Sequence, residues 1–366
     1  MKILLFGEYS NLHWTLAQGL KALGHHVVVA SDGDGFKNHN RDIDLSRSNS
    51  SIYNTFKTVK SVYNNLDNFK NYDVVQLINP CFTPLSVEIN TVLYNYLRKH
   101  NKKVFLGAFG DDAYWLKACV ENKIFRYSEF FVNNKENSLQ ENLRLKKLWS
   151  QGTSRERLNT DIANSSDGII ACLYEYFEAY KPFFSNKLQY IPLPVNLTEI
   201  KKTEVLCSDK IIFFVGINKA RNKFKGTDRL YHVLTEIEKK YSNQIEVKTV
   251  QSLQYSEYLK TITKVDVILD QLYSYSPAMN GLLSLASGKV LVGGGEPEMY
   301  NLLSEKQNRP IINVFPSEDD IYKKLENIIL NKQEIPTISD NGRVFVEKHH
   351  DHIKVAQQYV DFWTQK

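Results

Sequence analysis

The stretch Lys264–Tyr300 contains residues that are suited to binding an anion. Its run VDVIL is short, apolar and β-branched, which predicts a buried parallel strand. Ser276 and Pro277 then match the N-cap and the first position of a helix. The first N–H groups of such a helix have no partner within it and lie at the positive end of its dipole, so they suit a diphosphate. The diphosphate-binding residues predicted in this way are Ala278, Met279, Asn280 and Gly281.

Two adjacent carboxylates could perform acid–base chemistry. Asp111 and Asp112 come directly after the predicted strand KKVFLGAFG. Either carboxylate could accept a proton from an incoming hydroxyl group or orient that group. One of them could instead be the N-cap of a helix that starts at Ala113. Both interpretations remain open at the level of sequence.

The loop after the first predicted strand, GEYSNLH, carries Glu8, Asn11 and His13. Like the aspartates, Gly7, Glu8 and Asn11 lie just past the end of a strand, and they are the residues predicted to bind the molecule that carries the incoming hydroxyl group. His13 could contact a phosphate or the acceptor, or it could pack against the first helix.

The elements that position these residues alternate between strands and helices. The start of the chain predicts a βαβ opening of a parallel sheet. It consists of the strand KILLFGEY, a helix from about Asn11 to Leu23 and the strand HHVVVASDGDG. A second βα series begins with DKIIFFVG, and its KVLVGGG strand ends in glycines that let backbone or ligand approach closely. The predicted class is α/β, with two doubly wound Rossmann-like domains that face each other across a cleft.

The predicted domain ranges follow from a proline-marked linker near Ile191–Asn196. We expect residues 1–192 to form a first domain, which carries the candidate acid–base residues, and residues 193–340 to form a second, which carries the predicted diphosphate site. Residues 341–366 form an amphipathic helix that packs back toward the first domain.

The composition excludes several classes of protein. A net charge of +5 over 366 residues is too mild for a nucleic-acid-binding protein. The four cysteines show no CxxC spacing, so we expect neither a zinc site nor a disulfide framework. The sequence has no apolar run near the ~20 residues that span a bilayer. A cytoplasmic protein is predicted, with the basic segment Glu141–Trp149 as an alternative peripheral contact at the inner face of the membrane.

Several motifs, in order along the chain, resemble those of the GT-B glycosyltransferases, especially the bacterial family-four sugar transferases of capsule and lipopolysaccharide synthesis. A loop containing Gly7 precedes LAQGLKALGHHVVV, which is similar to that family's LA..L...GHEV.V. Three later segments also resemble motifs of that family: SSDGIIACLYEY is similar to its AD.II..S, YIPLPVNL to its IPNGVD, and LLSLASGKVLVGG to its EAMASGKPVVA. The resemblance implies a GT-B fold and transfer of a sugar from a nucleotide sugar to a glycan or lipid-linked acceptor. It also implies that residues 1–192 are the acceptor-side domain and residues 193–340 the nucleotide-sugar-binding domain.

The same resemblance implies which cations neutralise the donor diphosphate. FFVGINKARNKFKGTDRL resembles the family's GR....KG motif, so Gly216 and Lys225 match its glycine and lysine. Ile217 stands where the arginine is expected, and Lys219 or Arg221 must substitute for it. Because fixed cations stabilise the leaving group, the chemistry needs neither metal nor cofactor.

The sequence departs from the family at its paired glutamates, which are Tyr275 and Leu283 here. Leucine cannot accept hydrogen bonds from a ribose. Another residue must therefore bind the ribose, or the nucleotide must bind in a different position from that in the family. The remaining donor-binding candidates nearby are Asp270, Asn280, Glu296 and Glu298. Asp270 could equally cap a backbone turn. The absence of the paired glutamates motivates a second hypothesis, that the protein is a non-catalytic GT-B-shaped nucleotide-sugar-binding protein or a partner of an active transferase. A third hypothesis is a sugar-nucleotide epimerase on the same scaffold.

Overall fold

The computed structural model describes residues 1–47, 49, 51–121, 123–132, 135–203, 209–218, 221–251 and 255–366, without the side chains of 251, 255 and 256. Strands and helices alternate along this part of the chain. Its strands are β1 (Lys2–Phe6), β2 (His26–Ser31), β3 (Ile43–Asp44), β4 (Val74–Leu77), β5 (Lys103–Ala108), β6 (Phe131–Val132), β7 (Lys135–Glu136), β8 (Gly168–Ala171), β9 (Leu188–Tyr190), β10 (Ile211–Ile217), β11 (Ile245–Gln251), β12 (Val267–Leu269), β13 (Val290–Gly293) and β14 (Ile312–Asn313).

The helices connect the parallel strands and cover them. They are α1 (Leu12–Ala22), α2 (Ile52–Asn64), α3 (Val87–His100), α4 (Ala113–Glu121), α5 (Gln140–Trp149), α6 (Ser154–Ser165), α7 (Tyr174–Phe184), α8 (Asn222–Lys225), α9 (Thr227–Lys240), α10 (Tyr255–Ile262), α11 (Met279–Ala286), α12 (Pro297–Leu302), α13 (Glu318–Leu330), α14 (Ile335–His349) and α15 (His352–Gln365).

Two parallel sheets form the frame of the molecule. The first has the order β3-β2-β1-β4-β5-β8-β9 and the second the order β11-β10-β12-β13-β14. Strands such as β4, β8 and β13 are buried along their whole length, as expected of parallel strands that helices cover on both faces. The predicted α/β class with two doubly wound sheets is confirmed.

Each sheet has one point at which the strand order reverses direction. In the first sheet the chain builds outward from β1 to β3, then returns to the other side of β1 with β4. In the second sheet the same reversal occurs between β10 and β12. Open α/β sheets bind ligands outside the carboxyl ends of their strands at such switch points. The two candidate sites are therefore at the loops after β1 and β4 and after β10 and β12.

The chain divides into two compact units that differ from the predicted domain ranges. The first unit comprises Met1–Lys117, Leu145–Asn196 and His352–Lys366, and the second comprises Ala118–Arg144 and Leu197–Asp351. The segment 118–144, which lies inside the predicted range 1–192, thus belongs to the second unit, and α15 belongs to the first. In the first unit α15 packs tightly on α1, where a Cβ at Gly19 would come within 2.3 Å of the His352 carbonyl oxygen.

The prediction of a single helix over 341–366 is wrong. Two helices, α14 and α15, occupy the end of the chain and are separated at His350 and Asp351. The His350 N–H closes α14 on the Val346 carbonyl at 2.8 Å, whereas the His352 N–H donates to Val195 at 3.1 Å. The chain therefore leaves one helix axis and begins another, although the apolar pattern continues across the break.

Candidate functional site

In the second unit the predicted cation Lys225 lies beside the loop that follows β12. The Lys225 carbonyl accepts a hydrogen bond from the Leu272 N–H at 2.9 Å. Gly226 has a φ of +72°, and a Cβ there would come within 2.7 Å of the Leu272 Cβ. Only glycine fits this turn without strain. Lys225 and Gly226 therefore fix the turn between α8 and α9 against the loop after β12, at the switch point of the second sheet.

Asp270 follows β12 directly and lies between Lys225 and the start of α11. Its Oδ2 is 3.2 Å from where a Cβ of Gly281 would stand. Burial raises the pKa of Asp270, and the positive charge of Lys225 and the N–H groups of Gly281 and Gln271 oppose that rise. The structure thus brings Asp270, Lys225 and the N-terminal end of α11 together. Ala278 is the N-cap of α11, and the buried Asp270 Oδ2 has no hydrogen-bond partner within the described residues, so both interpretations of Asp270 stay predictions.

Helix α11 begins later than the sequence indicates. Its N-cap is Ala278 and its first residue is Met279, so the predicted start at Ser276 and Pro277 is wrong by two residues. The Ser274 hydroxyl donates to the Ser276 carbonyl at 2.7 Å and so holds a separate turn before the helix. Met279 is buried, whereas Asn280 is exposed.

The glycines after β13 are closely approached by other parts of the protein itself. A Cβ at Gly294 would come within 2.2 Å of the Ser274 carbonyl oxygen, and one at Gly295 within 2.8 Å of the Ile311 Cβ. The close approach that these glycines predict is therefore made at Gly294 by the loop that leads to α11 and at Gly295 by the Ile311 side chain.

Glu296 and Glu298 contact an arginine that sequence reasoning missed. The Arg126 Nη2 is 2.6 Å from Glu296 Oε2, and the Arg126 Nη1 pairs with Glu298. The Tyr127 hydroxyl donates to Glu296 Oε1 at 2.6 Å. Glu296 is buried, so the two partners compensate the loss of its hydration. The only local signal was an arginine among the aromatic residues of FRYSEFF, in a segment with no predicted role.

Tyr275 and Leu283, which the sequence resemblance aligned with paired glutamates, have no carboxylate and make contacts within the second unit. The Tyr275 ring stacks on Tyr127 with centroids 4.9 Å apart, and its hydroxyl accepts a hydrogen bond from the Arg126 backbone N–H. Leu283 is buried in the second unit. The segment 118–144 thus supplies polar contacts around Tyr275.

The other predicted cations and Gly216 have different surroundings. Arg221 precedes α8, lies 4.7 Å from the centre of the Phe224 ring and is 3.9 Å from a Glu141 oxygen. Gly216 is exposed near the end of β10. Lys219 lies outside the described residues.

In the first unit Gly7, Glu8 and His13 form one buried group at the end of β1. The His13 Nδ1–H donates to the Gly7 carbonyl at 2.7 Å. The Glu8 carboxyl accepts from the N–H groups of His13 and Trp14, at 3.2 and 2.9 Å, in the first turn of α1. Gly7 has a φ of +88°, and a Cβ there would collide with Ile78. The predicted loop therefore forms, with both titratable side chains turned into the protein.

Burial sets the protonation of this group. It lowers the pKa of His13 to about 3 and raises the pKa of Glu8 to about 8. His13 is therefore neutral near pH 7, and its buried Nε2 has no hydrogen-bond partner within the described residues. Asn11 has a left-handed backbone at the N-cap of α1, and its side chain donates to Thr15 at 3.3 Å.

The two aspartates after β5 have separate surroundings. Asp112 is fully buried, accepts from the Trp115 N–H at 2.8 Å and from the Tyr180 hydroxyl at 2.8 Å, and so caps α4. Burial raises the pKa of Asp112 to about 7. Asp111 is only half-buried, and its carbonyl accepts from Asn79 at 3.4 Å. The capping alternative thus describes Asp112, and Asp111 is the more accessible carboxylate.

Comparison with solved structures shows where this fold occurs. The chain is similar to Anabaena HepE in complex with UDP and glucose, at a TM-score of 0.62 and 12% identity, with 100% of both chains covered. It is also similar to the sucrose-phosphate synthase of Thermosynechococcus elongatus (TM-score 0.61, 12% identity, 100% of this chain and 99% of that one). A third similar structure is WaaG, a glycosyltransferase involved in lipopolysaccharide biosynthesis (TM-score 0.54, 12% identity, 100% of both chains).

These similarities establish the fold. The predicted GT-B fold, with its two Rossmann-like domains, is confirmed. No protein-family model and no curated protein sequence matches the chain. No helix among the described residues is both long and apolar enough to cross a membrane.

Proposed function

We propose that this protein is a glycosyltransferase that moves a hexose-type sugar from a nucleotide-sugar donor to a glycan or lipid-linked acceptor in surface polysaccharide synthesis. The observation that carries the proposal is the convergence of Lys225, Asp270 and the N-terminus of α11 at the switch point of the second sheet. The fold similarity to HepE, whose structure contains UDP and glucose, supports a nucleotide-sugar donor. The proposed location is the cytoplasm, with peripheral contact at the inner face of the membrane.

The proposed chemistry follows from charge. A nucleoside diphosphate leaves with growing negative charge, which the Lys225 ammonium and the free N–H groups at the start of α11 would stabilise. Asp111, the more accessible carboxylate, would accept or orient the proton of the acceptor hydroxyl. The fully buried His13 would hold the loop after β1 in place through its hydrogen bond to the Gly7 carbonyl. The transfer is proposed to be metal-independent and to retain the anomeric configuration, as the resemblance to the family-four enzymes implies.

A panel of UDP-, GDP- and CMP-sugars with lipid-linked and glycan acceptors tests the proposal by nucleotide release. The Lys225→Ala variant should lose roughly 100-fold or more in turnover, because it removes a cation from the leaving group. Lys223→Ala, an exposed lysine two residues away, is the matched control and should leave the rate unchanged. Equal turnover of wild type and Lys225→Ala would contradict the assigned role.

A second candidate is a non-catalytic nucleotide-sugar-binding protein. The surroundings of Tyr275 and Leu283 favour this candidate, because neither residue can replace a carboxylate. The Tyr275 hydroxyl accepts a hydrogen bond from the Arg126 backbone N–H, and Leu283 is buried. Saturable nucleotide-sugar binding without nucleotide release, for every acceptor in the panel, would support this candidate over the transferase.

A further inference from the structure

Helix α2 exposes an unusual number of large apolar side chains. The exposed fractions are 90% for Ile52, 77% for Tyr53, 68% for Phe56 and 72% for Tyr63. Only Thr58 and Val62 of this helix are buried. A surface helix normally turns its apolar stripe inward, so this one is oriented in the opposite sense.

The exposed side chains form one continuous face. At about 100° per residue, Ile52, Phe56 and Tyr63 fall within about 40° of one another around the helix axis. Thr58 and Val62 lie on the opposite side and anchor the helix: the Thr58 hydroxyl donates to the Ser46 carbonyl at 3.1 Å. The apolar face therefore points away from the unit to which the helix belongs.

The charges on the same face have one sign. Lys57 and Lys60 are exposed beside Tyr53, and the sequence IYNTFKTVKSVYN contains no aspartate or glutamate. Apolar side chains flanked by lysines and tyrosines are typical of helices that lie in the interface of an anionic bilayer. There the lysines contact phosphate headgroups while their neighbours enter the acyl boundary.

We propose that α2 docks this protein on the surface of an anionic lipid bilayer, with Ile52, Phe56 and Tyr63 inserted and Lys57 and Lys60 at the headgroups. Docking by α2 would place the enzyme at the membrane, where a lipid-linked acceptor would be found. This part of the proposal rests on the proposed function. A second copy of the chain fits less well, because stable protein interfaces use about 20–30 residues a side and this face is part of one 13-residue helix.

The segment Glu141–Trp149, the alternative that the sequence offered, is arranged differently. Its Leu145 and Trp149 are buried, and Leu143 is its exposed apolar residue. Packing within the protein accounts for its apolar side chains, whereas nothing in the described part of the chain covers those of α2.

Flotation of the full-length chain with vesicles tests the proposal without any donor. Vesicles of phosphatidylcholine with about one-third phosphatidylglycerol should carry the wild-type protein to the top of the gradient, and pure phosphatidylcholine should carry much less. Ile52→Ser combined with Phe56→Ser should weaken partitioning roughly tenfold or more, since two buried apolar side chains are lost. Lys57→Gln combined with Lys60→Gln should weaken it roughly tenfold on anionic vesicles only.

Matched controls make the result specific. Val92→Ser changes another apolar residue of the same unit that is 70% exposed, and Leu143→Ser tests the alternative segment. Both should float like the wild type, and circular dichroism should show that every variant is folded. Saturable UDP binding by the non-floating variants would show that the donor site is independent of docking.

Three results would overturn the proposal. In the first, the wild type stays at the bottom of the gradient with anionic vesicles. In the second, the α2 variants float as well as the wild type. In the third, the wild type is a dimer in solution, and Ile52→Ser combined with Phe56→Ser dissociates it. A failure of UDP binding with normal flotation would instead count against the proposed transferase and leave the docking surface in place.

Discussion

At the scale of single residues, three carboxyl groups share one arrangement. Glu8, Asp112 and Asp270 each follow a parallel strand and lie at the first turn of the next helix. Burial raises the pKa of all three. At the N-termini of α1 and α4, backbone N–H groups thus donate hydrogen bonds to the buried carboxyl groups of Glu8 and Asp112. A diphosphate at α11 must share that end with Asp270, which is adjacent to Lys225.

The raised pKa values predict how stability depends on pH. The pKa of Glu8 is about 8 in the folded chain against an ordinary 4.5, so folding retains a proton that the unfolded chain releases between these values. The free energy of unfolding should therefore fall as pH rises from 5 to 8, by up to ~1.4 kcal/mol per pH unit for this group. In Glu8→Gln this fall should be smaller, as measured by urea unfolding at each pH. An unchanged slope would show that Glu8 titrates normally.

Asp270 predicts an effect on ligand binding. Its carboxylate lies next to the helix end that is proposed to bind phosphate, and like charges repel. Asp270→Asn removes the charge with little change in shape, so UDP should bind several-fold more tightly above the pKa of Asp270. Titration calorimetry at pH 8 measures this. Weaker binding in the variant would indicate that Asp270 contacts the ligand favourably, as a ribose or sugar acceptor.

At the scale of elements, the sequence predicted the strands well and the helix ends less well. VDVIL and KVLVGGG became β12 and β13 because buried parallel strands are apolar runs that are recognisable without context. The start of α11 was misplaced because the Ser274 hydroxyl holds a turn that local propensity does not reveal. The partners of Glu296 were missed because Arg126 is distant in sequence and carries no motif.

The glycine turn after β13 should tolerate no side chain. Gly294→Ala places a Cβ within 2.2 Å of the Ser274 carbonyl oxygen, so the loop before α11 must move. We expect a loss of about 1–3 kcal/mol in the free energy of unfolding. Gly216→Ala is the matched control, because a Cβ there meets nothing closer than 3.8 Å. Equal stability of the two variants would mean that the turn is not closely packed.

The attachment of the segment 118–144 can be tested at Tyr127. Tyr127→Phe removes the hydroxyl that donates to the buried Glu296, and an under-satisfied buried carboxylate costs about 1–3 kcal/mol. Thermal unfolding should show the loss. Tyr241→Phe removes a comparable bond of 2.7 Å to Glu326 on the surface and should change the free energy of unfolding by less than about 0.5 kcal/mol. A neutral Tyr127→Phe would mean that Arg126 alone compensates Glu296.

At the scale of the whole molecule, the order of motifs was enough to predict the GT-B fold. Two βα series, each with its own switch point, correspond to the two parallel sheets. The limits of the compact units were not predictable in the same way. A helix pattern shows which of its faces is apolar but not which core it joins, so neither the membership of 118–144 nor the break between α14 and α15 could be read from the sequence.

The most direct test of the central claim is calorimetric titration of UDP and GDP into the wild type, Lys225→Ala and Lys223→Ala. The diphosphate is proposed to bind between Lys225 and the start of α11, so at least one nucleotide should bind the wild type saturably. Lys225→Ala should bind it roughly tenfold more weakly or worse, while Lys223→Ala should match the wild type. No binding to the wild type, or equal affinity in all three, would contradict the account.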